Sequence, residues 1–469
     1  MLKILGVAIF ASLIITAQAQ KFTFNDSIII QAKVWNKNKE KKVTYSDWKP
    51  NVSHTIGMIS HFDSSQADEN IDVYGGSPII KSKGTGYFRV DKINNRFWFI
   101  DPLGNSYFNT AINGIRPGTS SNTLKSLNDH FGNLNNWISD VHKQIKTYGF
   151  NSAGSWSDVN TINAYNKSNK TPLPYCTQLS VLGTFKKDNK IKNENKDYPI
   201  LAYIYNPLFE NHCKNKILEN KNKFYDPNLL GHFSDNELPF QDNLIKDFIE
   251  INDESDDAYL LAINFVKENQ IDVNKISKEK QEAFAGIVAS KYYQTVASIL
   301  KQYDPNHLYI GNRLHSSAKS NMAVLNAAEK YLDVISINFY GHWDLRPKED
   351  DLWAKLKKPF IITEFYTKGD DTKMDNMSGA GWRVSTQADR GIHYQNFLLS
   401  FMQNKNCIGI HWFRYQDNDP KDTSADPSNL DSNKGMVNVD YEWYTPLVNA
   451  MSQINNRKFR LIKHLDNIK

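Results

Sequence analysis

The sequence predicts an α/β fold, a (β/α)8 TIM-type barrel preceded by a small β-rich N-terminal region. Three observations carry this. From about residue 107 onward, short apolar runs alternate with longer stretches of helical periodicity. The runs are continuous, as in 333–340 and 360–365, which is the pattern of parallel strands buried on both faces. Eight such runs begin at 107, 149, 179, 229, 308, 333, 360 and 408, enough to close a barrel of about 330 residues with insertions. An open doubly wound sheet is the alternative, because a strand count alone does not prove closure.

The elements follow in chain order. Residues 1–19 read as a signal peptide: a basic start at Lys3, an apolar run too short to span a bilayer, and Ala17-Gln18-Ala19 as a cleavage signal. The mature chain is then expected to begin at Gln20 and to be secreted or periplasmic, an uncleaved membrane anchor being the alternative. Residues 20–85 form the β-rich region, and 86–469 the barrel domain. Within 86–469 the runs 87–90 and 97–100, separated by Asn94-Asn95, read as a hairpin. Strands at 107–114, 149–156, 179–185 and 229–233 follow, then an insertion of helical character at about 240–275. A helix at 279–302 aligns Phe284, Ile287, Val288, Tyr292, Val296, Ile299 and Leu300 on one stripe and stops before Asp304-Pro305. The last four strands are the runs from 308, 333, 360 and 408.

Composition narrows the function. The 56 Lys and Arg exceed the 51 Asp and Glu by five, too few over 469 residues for a phosphate-tracking stripe, so no nucleic-acid partner is expected. No later run is long enough for a membrane span. Aromatic residues make up 12%, a wealth that suits sugar-stacking surfaces as well as large cores. There is no CxxC, HExxH, Walker or dinucleotide motif and no His cluster at ligand spacing, so no metal or cofactor is implied. The odd count of three cysteines leaves at least one thiol free. A Cys176–Cys213 pair is one option, and three small buried residues the preferred one.

A barrel places its chemistry at the C-terminal ends of its strands. There the fourth strand ends in Asn236-Glu237 and the seventh in Glu364. The sixth ends in Tyr340, followed by His342 and Trp343. The fifth runs into Asn312, Arg313 and His315, and the second ends in Trp156. The eighth carries His411 and Trp412 and runs on to Arg414 and Gln416. Two carboxylates facing each other across a barrel mouth are the apparatus of glycoside hydrolysis: one protonates the leaving oxygen, the other attacks or stabilises the sugar cation. An Asn beside one acid suits a sugar hydroxyl, a Tyr near the other orients its carboxylate, and aromatic rings form an apolar floor. Asn236, Tyr340, His342, His315, Trp156, Trp382, His411, Trp412 and Gln416 are accordingly the candidate substrate-binding residues, with a polysaccharide or oligosaccharide as partner.

These residues resemble the retaining glycoside hydrolases of clan A. More narrowly, the segments His232-Phe233-Ser234-Asp235-Asn236-Glu237-Leu238-Pro239, Ile362-Thr363-Glu364-Phe365, 409–417 and 432–439 are similar to the β-agarases of glycoside hydrolase family 50, over roughly residues 86–450. The resemblance implies a (β/α)8 barrel that cleaves a β-linked algal galactan of agarose type, with Glu237 as acid/base and Glu364 as nucleophile. A retaining pair implies carboxyl groups about 5–5.5 Å apart, with Glu364 ionised at rest and the raised pKa on Glu237. The chain departs from the family in its short N-terminal region and in 366–390. Hydrolysis of another β-glycan (porphyran, carrageenan or mannan) and a non-catalytic carbohydrate-binding barrel are the alternatives. Three further segments have two readings each. The five Asp between Asp417 and Asp431 form a solvated loop or a calcium site, the former preferred because the spacing is not that of an EF-hand. The Lys/Asn-rich stretch 186–197 is a solvated loop or an attractor of sulfated polymer, again with the former preferred. Gly379-Ala380-Gly381-Trp382 is a lid that lays a ring on sugar or a packed anchor.

Overall fold

The computed structural model describes residues 21–37, 43–191, 197–422, 425 and 430–468. The expected signal peptide, Asp426 and residues 192–196 of the Lys/Asn-rich stretch lie outside them. Eight parallel strands form the barrel: β1 (Asn109–Ile112), β2 (Ser152–Ala153), β3 (Tyr175–Gln178), β4 (Leu229–Phe233), β5 (Leu308–Gly311), β6 (Ile335–Asn338), β7 (Phe360–Glu364) and β8 (Cys407–Trp412). Their spatial order is sequential, with β8 beside β1. The seam between β5 and β6 is bridged at Leu314 and Ile337: the Leu314 N–H donates to the Ser336 carbonyl at 2.8 Å, and the Asn338 N–H to the Leu314 carbonyl at 2.9 Å. The sheet is therefore closed, and the open alternative falls away.

Six of the predicted runs contain the strands found, and the run from 408 matches a strand that starts one residue earlier, at Cys407. The third differs. The strand is Tyr175–Gln178, and the predicted run 179–185 instead leads into a helix, Val181–Asp188. Val181, Leu182 and Phe185 are all buried at i, i+1 and i+4, a helical spacing that in so short an apolar run resembles a strand. The strand itself, Tyr-Cys-Thr-Gln, carries too little apolar signal to announce itself.

The barrel interior is packed with Leu230, Phe233, Ile310, Val334, Ile361 and Ile408. Phe88, Phe99 and Tyr107 join that cluster from a four-stranded antiparallel sheet ordered Ser77–Lys81, Asn105–Tyr107, Arg96–Ile100, Arg89–Ile93. This sheet plugs the interior with aromatic rings. A second sheet pairs the N-terminal strands Lys49–Ser53 and Ile28–Lys33 with Trp382–Val384 and Thr367–Gly369, both from the segment after β7. The N-terminal hairpin Trp35–Lys37/Val43–Tyr45 follows on, and the Tyr45 hydroxyl donates to the Asn376 carbonyl at 2.7 Å. The N-terminal residues thereby reach the segment that follows the C-terminal end of β7.

The helix predicted at 279–302 is Lys278–Tyr303, capped at its start by the Ser277 side chain. Cys176, Cys213 and Cys407 are all free and buried. Among the described residues no helix is long and apolar enough to cross a membrane.

Candidate active site

The turn after β4 is fixed from below. Asp235 accepts from the Leu182 and Gly183 N–H groups at 2.8 and 2.9 Å and from the Tyr292 hydroxyl at 2.6 Å. Burial pushes its carboxyl up to about 6. Two residues on, Glu237 has a left-handed backbone (φ +51°), and its N–H donates to the Asn312 carbonyl at 3.0 Å. Non-glycine residues in this region are uncommon and cluster where backbone aims a functional side chain. Trp156 (φ +65°) and Arg313 (φ +57°) share it.

Asn338, at the end of β6, orients Glu237. Its amide oxygen accepts from the Thr363 hydroxyl at 2.8 Å, so its NH2 faces the acid. One hydrogen goes to Glu237 Oε1 at 2.7 Å and the other to Asn236 Oδ1 at 3.2 Å. Oε1 is thus committed as an acceptor. A proton on this carboxyl resides on Oε2, which has His315 Nδ1 3.8 Å away.

Glu364 has different surroundings. Arg313 Nη2 donates to Oε1 at 2.5 Å, the Tyr340 hydroxyl to Oε2 at 2.7 Å, and Trp156 Nε1 to Oε1 at 3.4 Å. Arg313 is fully buried and held by the Ser155 hydroxyl at 2.7 Å and the Thr363 carbonyl at 3.2 Å. Loss of water pushes the Glu364 carboxyl above the usual carboxylate range; Arg313 opposes the push, Glu237 adds to it, and the phenol and indole pull it back. The upward shift on Glu364 is not among the sequence expectations, and burial of the β7 terminus is its first cause.

Both glutamates open into one cleft of about 700 Å³. Asn236, His315, Tyr340 and Trp156 line it with them, as does Gln416. Gln416 braces the rim: it accepts from the Gly118 N–H at 3.0 Å and donates to the Asn438 carbonyl at 3.1 Å.

Four of the predicted binding residues lie elsewhere. Trp412 is fully buried, edge-on to Phe365 and Tyr394, with Nε1 donating to the Lys434 carbonyl at 3.1 Å. A ring with no free face cannot stack on sugar, so this position is core packing. His411, its neighbour, is buried among barrel residues with Nε2 2.6 Å from Asn109 Oδ1, and burial holds it down to about 3. His342 packs on Phe339 at 5.4 Å and is held down to about 4, chiefly by burial. Trp382 stands edge-on to Trp343 at 5.5 Å in a cluster with Ile30, Ala32 and Val384. It is an anchor, while Gly379 and Ala380 of the same loop line the cleft.

Other residues of the site, one buried behind Glu237 and three lining the cleft, escaped the sequence. Asn338 looked like part of an apolar strand, though a polar residue two positions before Tyr340 was a usable signal. Trp35, Tyr366 and Phe413 supply aromatic lining. Nothing in the sequence joins Trp35 to a site some 200 residues away.

The acidic loop is tied up by donors. Asp417 accepts from the Lys434 and Gly435 N–H groups at 2.8 and 2.6 Å, from Asn433 Nδ2 at 3.0 Å and from the Tyr444 hydroxyl at 2.7 Å. Asp431 accepts from the Met377 and Ser378 N–H groups, each at 2.9 Å. Carboxylates so engaged do not form a cation cage. The barrel does bring His232, Asp304 and His307 within 4.8 Å of one another, although they are scattered in sequence. Every ring nitrogen there is taken. His232 meets the Thr177 hydroxyl at 2.6 Å and Asp304 at 2.8 Å, and His307 meets Asp304 at 2.8 Å and the Asp226 carbonyl at 2.9 Å. The trio fits a hydrogen-bonded clamp, not an open metal site.

No protein-family model matches the chain. It is similar to β-agarase B of Vibrio sp. (strain JT0107), 23% identical over 531 residues that take in 89% of this chain and 54% of the relative. β-Agarase A of the same strain is 30% identical over 176 residues, 36% of this chain and 17% of the relative. The chain thus spans about half the length, or less, of the curated relatives it matches. Among solved structures, BpGH50 superposes with a TM-score of 0.84 at 31% identity, covering 94% of this chain and 96% of that one. The agarase AgWH50C shares the fold, with a TM-score of 0.71 at 21% identity over 84% of this chain and 67% of that one.

Proposed function

The chain belongs to glycoside hydrolase family 50, and from that premise we propose that it is a secreted, retaining hydrolase of β-glycosidic bonds in an agarose-type galactan. The observation that carries the mechanism is the opposite dressing of two carboxylates in one cleft. Glu364 is gripped by a cation, a phenol and an indole, which favour its charged form. Glu237 accepts one amide hydrogen and leaves Oε2 toward the cleft. In the first step Glu364 attacks the anomeric carbon while the Glu237 proton passes to the departing glycosidic oxygen. The C–O bond to the leaving sugar breaks as the ester to Glu364 forms. Glu237 then takes a proton from water, whose oxygen displaces Glu364 and restores the enzyme.

Exposed Trp156, with Tyr366 and Phe413, offers ring faces to the apolar side of a sugar. The substrate class comes from the two β-agarase relatives. Export rests on the 1–19 leader, and 20–85 is proposed as a β-rich region that completes the cleft rim. The test is incubation with agarose, porphyran, carrageenans and β-mannan, followed by product sizing and by NMR of the newly formed anomeric centre. Cleavage of agarose with a β-configured first product supports the proposal; an α-configured first product contradicts retention. Glu237→Ala should retain more activity on aryl glycosides whose leaving groups need no proton than on polysaccharide.

A further inference from the structure

One end of the cleft carries two guanidinium groups that form no ion pair among the described residues. Arg116, on the loop after β1, is exposed, and Arg414 follows β8; both line the cleft. Among the described residues, the arginines that form ion pairs are others. Arg414 donates from Nη1 to Asn418 Oδ1 at 3.0 Å, while its Nε is buried without a hydrogen-bond partner. Gly114 (φ +64°) makes room for it, since a Cβ there would come 3.1 Å from that Nε. The acids nearby are taken by other donors: Asp417 as described, Asp419 by Asn122 Nδ2 at 3.1 Å and the Lys421 N–H at 2.9 Å, and Asp422 by the Thr119 hydroxyl at 2.9 Å. Burial and then the charge of Arg116 hold Arg414 down to about 10 against the opposing pull of Asp417, so the two cleft-lining guanidinium groups repel each other.

We propose that Arg116 and Arg414 form a subsite for an anionic substituent, a sulfate ester or a carboxylate, carried by the galactan chain. The subsite rests on the hydrolase function proposed above. Guanidinium forks match such oxyanions in geometry, and an anion between two like charges relieves their repulsion where water is scarce. The Glu364 carboxylate repels the same substituent, so it also fixes register: the anionic sugar lies away from the bond being cut.

The experiment uses the Glu364→Gln chain, titrated calorimetrically at low salt with three oligosaccharides of one length: neutral agarose-derived, sulfated porphyran-derived, and agarose-derived bearing a carboxylate ketal. At least one anionic form should bind about tenfold more tightly than the neutral one, and which does so identifies the group. Adding Arg116→Ala or Arg414→Lys should abolish that preference. Equal or weaker binding of both anionic forms overturns the proposal, as does a preference that survives both substitutions. Wild-type turnover is measured separately. A tenfold preference without turnover of any galactan would sink the hydrolase function and leave the subsite standing; turnover without the preference would do the reverse.

Discussion

Asp304, just before β5, and Glu364, at the end of β7, are both buried carboxylates held by several donors, yet they move in opposite directions. Burial pushes both upward. At Asp304 the hydrogen bonds and charges of His232 and His307 reverse the push and carry it down to about 2. At Glu364 the pull of Arg313 is offset by a second acid, Glu237, and the carboxyl stays above its usual range. The first arrangement is saturated: every donor meets an acceptor, and nothing is left to react. The second places two acids against one cleft and leaves their charge unresolved until substrate arrives. Perturbation by an unresolved like charge in a cleft is the mark of a working site, and full mutual satisfaction that of a structural one.

The largest expected effect comes from breaking the reactive member. Glu364→Gln should lower kcat by about 10⁴-fold or more while leaving the melting temperature near that of the wild type. Asp304→Asn should do the opposite. Removing one charge from a buried, hydrogen-bonded set costs about 3–5 kcal/mol, read as a lowered midpoint in urea, with kcat of the folded fraction kept. The stabilisation from Asp304 is present in full above the ordinary Asp pKa and fades as pH falls toward about 2, so the gap between wild type and variant should close on acidification.

The two tryptophans sharpen the contrast further. Trp412→Ala, in the core, should cost about 3–5 kcal/mol of stability. Trp156→Ala, on the cleft, should weaken substrate binding by about 1–3 kcal/mol, seen mainly in KM. Loss of KM without loss of stability at Trp412 would reverse the assignment of the buried ring.

The smallest effect concerns proton binding. Glu364 must be ionised to attack, so its raised pKa sets the acid limb of kcat/KM above the usual carboxylate range. The Tyr340 hydroxyl favours the charged form. Tyr340→Phe should therefore move that limb to higher pH, and a shift to lower pH would show that the phenol does not act on Glu364.

The two cleft glutamates were legible because β4 and β7 are apolar runs, Glu364 closing β7 and Glu237 lying in the turn just after β4, where barrel geometry places strand ends. Facing along a strand was harder. His411 and Trp412 are adjacent on β8, yet one turns toward Asn109 and the other toward Tyr394, and neither reaches the cleft. Strand β3 was hidden because Tyr175–Gln178 mixes apolar and polar residues, and the stronger run after it is a helix. Part of the cleft lining was illegible for another reason. Trp35 and Arg116 come from segments far from the strand ends that carry the glutamates, and only the closed fold brings them together with Arg414.

The central claim is that Glu364 forms a bond to the sugar while Glu237 manages the proton. A galactoside with fluorine at C2 and a good leaving group slows release of the intermediate more than its formation. After incubation with it, the chain is digested and its peptides are weighed by mass spectrometry. The mass of one fluorinated galactosyl unit on the peptide containing Glu364, absent in Glu364→Gln and retained in Glu237→Ala, is the predicted result. An adduct on another residue, or none while the leaving group is released in many turnovers, would contradict it.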